Sequence, residues 1–338
     1  MSKVLEEASS VAQIIELFNK EDQNPYKDIK KIILDKKIKL IVTVARGTSD
    51  CAALYASYLF AKSLGLPTYS LPPSQITLEK TEFDFSSALV LIISQSGLSE
   101  DLIECENATR SMGAITAILT NNIKSPMVET ANYFFNINAD KEESVAATKS
   151  FVLTLLNIIK LVAIISDNHR ILAKINDLPE IIERENQNEW DPSIVDNHLS
   201  NGFIISRGLG YALSTEISLK FKELCQEQIE PFSSAEVMHG PKSLIENKFK
   251  LFVLILVDKS GSIISRDISQ LKKMTDKVYE ILPESYGHTS LTYKSLNVVE
   301  LDSIILMSKF YPWIIKYSQL KGLDPDHPRY LTKITRTL

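Results

Sequence analysis

Residues 89–99 read Leu-Val-Leu-Ile-Ile-Ser-Gln-Ser-Gly-Leu-Ser. An apolar run stops at three hydroxyls, a glutamine and a glycine, and a helix-compatible segment over 100–112 follows at once. A short apolar run bounded in this way reads as a buried strand. The loop after it falls at a helix N-terminus, where backbone N–H groups point outward and the helix dipole favours negative charge, so the arrangement suits a phosphate. No Lys or Arg lies in the loop, so Ser94, Gln95, Ser96 and Ser99 share that task with the backbone. The same hydroxyls also suit simple helix capping, and the loop alone leaves both readings open.

Working outward, residues 38–44 predict a strand that ends in Ala45-Arg46-Gly47-Thr48-Ser49-Asp50, a second hydroxyl-bearing loop, before a helix over 51–64 closed by Gly65 and Pro67. A short strand at 68–70, strands at 115–119 and 133–137, and helices over 125–131 and 149–166 complete an alternating pattern. Such alternation implies a parallel sheet covered on both faces, an α/β doubly wound unit whose ligands bind beyond the carboxyl ends of the strands. Both hydroxyl loops fall there. Residues 4–35 read as a helical preface, and residues 167–200, broken by Pro179 and Pro192, read as a connector.

The pattern then restarts. Strands are expected at 202–206, 250–257 and 296–301, with helices over 213–225, 268–281 and 303–320. Val-Thr-Val-Ala-Arg-Gly-Thr-Ser in the first half matches Ile-Ile-Ser-Arg-Gly-Leu-Gly in the second, and Leu-Ile-Ile-Ser-Gln-Ser-Gly matches Ile-Leu-Val-Asp-Lys-Ser-Gly. This is a duplicated unit, with a period too long for a solenoid. Only the first copy keeps its hydroxyl loops, so one phosphate pocket is expected. The division is a preface over 1–37, a first domain over 38–185 and a second over 186–338.

With 338 residues the chain has room for two cores. A net charge of −5 offers no basic field, so nucleic acid is not an expected partner. The greasiest stretch, 151–165, is interrupted by Asn157 and Lys160 and is too short for a membrane span; it reads as a buried helix. Cys51, Cys105 and Cys225 are isolated, with no metal-ligand spacing, and reduced thiols fit the cytoplasm. The N-terminus has no hydrophobic stretch of the kind a secretory signal needs.

Ionisable residues gather in the second half. Glu216, Lys220 and Glu223 are spaced i, i+4 and i+7 on one face of an otherwise apolar helix. A solvated salt-bridge ladder and a proton-transfer group both fit that spacing. Burial of that helix is expected to push the Glu223 pKa upward, and Lys220 to pull it back. Residues 230–241 form a polar loop in which His239 precedes Gly-Pro, a candidate acid–base group.

Arg-Gly-Thr-Ser, Ser-Gln-Ser-Gly-x-Ser, Val-Ala-Ala-Thr-Lys-Ser, Glu-x3-Lys-x2-Glu, His-Gly-Pro and the closing Asp-x-Pro-Arg-x-Leu-x-Lys occur in that order. Over essentially its whole length the chain resembles the sugar isomerase (SIS) fold family, with two tandem SIS-type domains. Within that family it is most similar to stand-alone glucosamine-6-phosphate deaminases and to the isomerase half of glutamine–fructose-6-phosphate aminotransferase. The resemblance implies phosphate binding by Thr48, Ser49, Ser94, Gln95, Ser96 and Ser99. It implies a C1–C2 proton shuttle at Glu223 with Glu216 and Lys220 beside it. It further implies ring opening by a His239 lent by a neighbouring subunit of a homodimer, and a tail Lys333 that reaches the open-chain sugar. No metal or other cofactor is implied. Leu98 stands in place of an acidic residue of the aminotransferase, Met238 in place of a lysine and Ala147 in place of a sugar-contacting serine; the first two resemble deaminase features. The short preface leaves no room for a glutaminase domain. The expected reaction is therefore glucosamine 6-phosphate plus water to fructose 6-phosphate plus ammonia. The alternatives are a fructosamine-6-phosphate deglycase, another aldose–ketose phosphosugar isomerase, or a non-catalytic phosphosugar sensor.

Overall fold

The computed structural model describes residues 2–20, 24–35, 38–287 and 289–333. The part of the expected helical preface at residues 21–23 and the end of the tail lie outside the described residues. Helices α1 (Lys3–Ser9), α2 (Val11–Phe18) and α3 (Asn24–Asp35) come first. They are followed by β1 (Leu40–Val44), α4 (Thr48–Leu64), β2 (Thr68–Ser70), α5 (Pro73–Thr77), β3 (Ala88–Ile93) and α6 (Glu100–Ser111). Next are β4 (Ile115–Thr120), α7 (Pro126–Thr130), β5 (Tyr133–Asn136), α8 (Lys149–Ile165), α9 (His169–Lys174) and α10 (Leu178–Gln187). The remainder is β6 (Asn201–Ser206), α11 (Leu209–Cys225), β7 (Gln228–Ser233), β8 (Lys250–Leu254), α12 (Gly261–Leu271), β9 (Val278–Pro283), β10 (Leu291–Tyr293) and α13 (Val299–Leu320). None of the described helices is long and apolar enough to cross a membrane.

The chain divides into two compact units, one of Gln13–Glu142, Lys149–Asn176 and Thr332–Leu338, the other of Met1–Ala12, Glu143–Thr148 and Asp177–Leu331. The first holds a five-stranded sheet in the order β2-β1-β3-β4-β5, parallel throughout. All six residues of β3 are buried. Each large aliphatic side chain taken from water in this way contributes about 1.5–3 kcal/mol, so an unbroken apolar strand settles in the middle of a sheet. All seventeen residues of α8 are buried, as an all-round apolar helix requires.

The second unit repeats the order as β7-β6-β8-β9-β10, again all parallel. The repeat extends to single residues. Gly47, before α4, has φ 55 and ψ −132, and Gly208, before α11, has φ 58 and ψ −133. Both turns need a left-handed φ that glycine adopts without a Cβ penalty.

Several expectations for the connector and the second half are corrected. The segment read as a polar loop contains β7, and Pro231 lies inside it. Because β7 pairs only with β6, it is an edge strand, where a missing N–H costs no ladder bond. The helix expected over 268–281 ends at Leu271, and 278–283 form β9. The strand expected over 296–301 is absent: Asp302 accepts hydrogen bonds from Ser295 Oγ at 2.6 Å and Leu296 N at 2.7 Å, fastening a turn from which α13 starts at Val299. The connector carries α9 and α10, and Pro179 sits in the first turn of α10, where its missing N–H is harmless.

Candidate active site

In the first unit, α4 and α6 begin at the carboxyl ends of the adjacent parallel strands β1 and β3. The strand order reverses between these two, the place where open parallel sheets leave a crevice for ligands. Thr48 and Ser49 prove to be the first turn of α4 rather than a loop before it. Ser99 is the residue before α6, and its side chain makes no capping bond. The Ser94 and Ser96 hydroxyls accept from Gly97 N at 3.1 Å and Leu98 N at 3.3 Å, shaping the loop itself.

Three side chains from the end of β4 and beyond grip that loop through its carbonyls. Thr120 Oγ1 donates to Gln95 O at 3.3 Å, Asn122 Nδ2 to Ser96 O at 2.9 Å and Ser125 Oγ to Gly97 O at 2.6 Å. Gly97 has φ +63, and a Cβ there would lie 2.6 Å from Ser125 Cβ. The backbone N–H groups of Gln95, Ser96 and Ser99 find no acceptor among the described residues. Rigid carbonyls on one side and spare donors on the other suit an oxyanion. Thr120, Asn122 and Ser125, small polar residues at and just after the end of a strand, are the sequence signal for this support.

Arg46 ends the β1 loop. Its Nε and Nη2 both lie 3.0 Å from Asp101 Oδ2, a carboxylate buried in the first turn of α6. Burial pushes the Asp50 pKa up, and the Arg46 charge offsets part of that.

In the second unit the ladder on α11 is no solvated face. Glu216 and Lys220 are fully buried, whereas the Glu223 side chain is 21% exposed. Lys220 Nζ lies 2.6 Å from Glu223 Oε2 and 3.3 Å from Glu216 Oε1. Tyr311, from α13, donates its hydroxyl to the same Glu216 oxygen at 2.9 Å, while Glu216 Oε2 is buried with no hydrogen-bond partner among the described residues. Deep burial thus falls on Glu216 rather than on Glu223. Desolvation drives the Glu216 pKa up to about 7, against the pull of Lys220. Burial disfavours the Lys220 charge, but the two carboxylates outweigh it and hold the ammonium above its ordinary range. The arrangement places a solvent-reaching carboxylate over a buried ammonium and a carboxyl near its own midpoint, which is a competent proton-transfer set.

His239 ends a short 3-10 turn, Glu236–His239, and is exposed. Met238 packs on the apolar cluster around Val237. Lys333 belongs to the first unit, where its Nζ lies 3.2 Å from Glu142 Oε2. That carboxylate also accepts from Ser150 N and Ser150 Oγ at the start of α8. Neither Tyr311 nor Glu142 was legible as a partner, because both contacts join segments about a hundred or more residues apart.

The structure therefore gathers Thr48, Ser49 and residues 94–99 beyond the carboxyl ends of β1 and β3, and Glu216, Lys220 and Glu223 on one face of α11. A family model described as SIS domain matches residues 33–164. A glutamine–fructose-6-phosphate aminotransferase from Sulfurisphaera tokodaii is 29% identical over 315 residues, covering 90% of this chain and 51% of the relative. The chain spans about half the length of the curated relatives it matches. Among solved structures, a Silicibacter pomeroyi protein whose assignment as a phosphosugar isomerase is provisional aligns with TM-score 0.87 and 28% identity, over 96% of this chain and all of that one. A glucosamine-6-phosphate deaminase from Thermotoga maritima aligns with TM-score 0.79 and 19% identity, over 99% of this chain and 100% of that one, a likeness of fold.

Proposed function

We propose, from the match of the SIS-domain family model to residues 33–164, that the chain is a SIS-type enzyme that converts glucosamine 6-phosphate and water to fructose 6-phosphate and ammonia. The observation that carries this reading is the ladder on α11, in which a buried ammonium stands behind the solvent-reaching Glu223. Moving hydrogen between C1 and C2 needs one carboxylate that takes a proton from one carbon and returns it to the next.

In this reading Thr48, Ser49, Ser94, Gln95, Ser96 and Ser99 hold the sugar phosphate, and binding energy spent there orients the reacting carbons. His239 assists ring opening. Glu223 removes the C2 proton of the open-chain aldehyde and delivers it to C1, leaving a C1 alcohol and a C2 imine. Water adds to the imine and ammonia leaves, giving the ketose. Lys333 approaches the open chain once it parts from Glu142. In the same reading His239, exposed at the end of its 3-10 turn, serves a neighbouring subunit, and the working form is a cytoplasmic homodimer with shared sites. Leu98 and Met238, apolar where the aminotransferase carries charge, support deamination over amide transfer.

The test is incubation of the purified chain with glucosamine 6-phosphate, assaying fructose 6-phosphate and ammonia together. Equimolar appearance of both supports the reading. Turnover of fructosamine 6-phosphate or of an unaminated ketose phosphate, with no ammonia from glucosamine 6-phosphate, replaces it with the corresponding deglycase or isomerase.

A further inference from the structure

The phosphate edge of the first unit carries an electrostatic problem. The first turns of α4 and α6 hold Asp50, Glu100 and Asp101, three carboxylates beside a place suited to an anion. Helix dipoles favour acidic residues there, but a bound phosphate dianion meets their field as well. Hydroxyls and N–H groups supply dipoles and no net charge, and residues 94–99 contain no cation.

Arg46 answers this from the neighbouring loop. Its carbonyl accepts from Ser49 N at 3.1 Å and Asp50 N at 3.4 Å, so its backbone opens the first turn of α4, beside Thr48 and Ser49. One edge of its guanidinium is committed, through Nε and Nη2, to the buried Asp101. Nη1 makes no hydrogen bond among the described residues, and the side chain is 47% exposed. A planar fork clamped along one edge presents its other donors with little rotamer entropy left to lose.

We propose that Arg46 is a ligand of the substrate phosphate: Asp101 fixes its orientation, and its free Nη1 edge donates to a phosphate oxygen. The inference rests on the phosphate-binding reading of residues 48–49 and 94–99 and adds to it the charge those residues lack. Asp101 is then a positioning residue, acting through Arg46.

The experiment is calorimetric titration of the full chain with inorganic phosphate, comparing wild type with R46M, R46K, D101N and S96A, each checked for a cooperative thermal transition. The inference expects R46M to weaken phosphate binding about tenfold or more, the scale of a lost charged hydrogen bond. R46K loses less, and D101N weakens binding by less than R46M, because the guanidinium keeps its charge but loses the partner that fixes its orientation. Equal weakening by D101N and R46M overturns it, since Arg46 then acts only by holding α6. So does wild-type affinity in R46M when S96A has lost binding. Wild-type affinity in both R46M and S96A is the separate result that removes the phosphate-binding reading itself. Should R46M not fold, R46K and D101N decide: phosphate binding weakened in both supports ligation by an oriented guanidinium, and wild-type affinity in both overturns it.

Discussion

Glu216 shows how burial assigns separate tasks to two carboxylates one helical ladder apart. With its pKa raised from 4.5 to about 7 by desolvation, the folded protein holds a proton there that the unfolded chain releases. That contribution to stability is complete below about pH 4.5 and is lost as pH rises through about 7. Glu216→Gln keeps the shape without the charge, so its unfolding temperature, relative to wild type, is expected to climb between pH 5 and pH 8. The ceiling on that relative gain is about 3 kcal/mol. A difference that stays constant with pH contradicts a near-neutral midpoint. Glu223, at the solvent end of the same ladder, is free to meet a substrate, and Lys220 between them keeps the pair in register.

At the scale of elements, the loop of residues 94–99 depends on Gly97. Gly97→Ala forces a side chain into a left-handed turn and against Ser125, at an expected cost of about 2–4 kcal/mol. Phosphate affinity is expected to fall with it, read by urea unfolding and by titration. A second element-level joint lies where α11, β8 and α13 meet. Glu227, just after α11, takes Lys250 at 2.7 Å, Tyr317 at 2.8 Å and Lys321 at 2.5 Å, with Lys250 itself fully buried. Glu227→Gln leaves two ammonium groups facing each other without a counter-charge, and a loss of about 3–5 kcal/mol in chemical denaturation is expected. How much of this was legible depended on locality. β1, β3 and β4 announced themselves as short apolar runs, and α8 by its length and greasiness. Pro231 hid β7, because a proline argues against a strand unless edge position is known. The turn fastened by Asp302 hid the start of α13, because Leu296 to Leu301 is rich in apolar and β-branched residues and reads as a short strand when that contact is unseen. The glutamates and lysine of α11 were readable from spacing alone, whereas their order of burial depended on Tyr311 and the rest of α13.

The whole molecule is a sequence used twice. Two sheets share one strand order, and Gly47 and Gly208 share one backbone conformation, yet Asp258 and Lys259 in the second copy stand where the first has Ser94 and Gln95. In the proposed reaction the first copy supplies the anchor and the second the reaction group. A homodimer with sites shared through His239 makes a complementation prediction. Glu223→Gln and His239→Ala chains, each inactive alone, are expected to recover about a quarter of wild-type turnover when unfolded together and reassembled, because half the dimers are mixed and each mixed dimer owns one intact site. No recovery, or a fully active monomer by light scattering, rules out the sharing. The central claim is that Glu223 moves the proton while distant hydroxyls hold the substrate. Steady-state kinetics of Glu223→Gln with glucosamine 6-phosphate test it most directly: kcat for ammonia release is predicted to fall at least about 100-fold with KM nearly unchanged, whereas a wild-type kcat would contradict it.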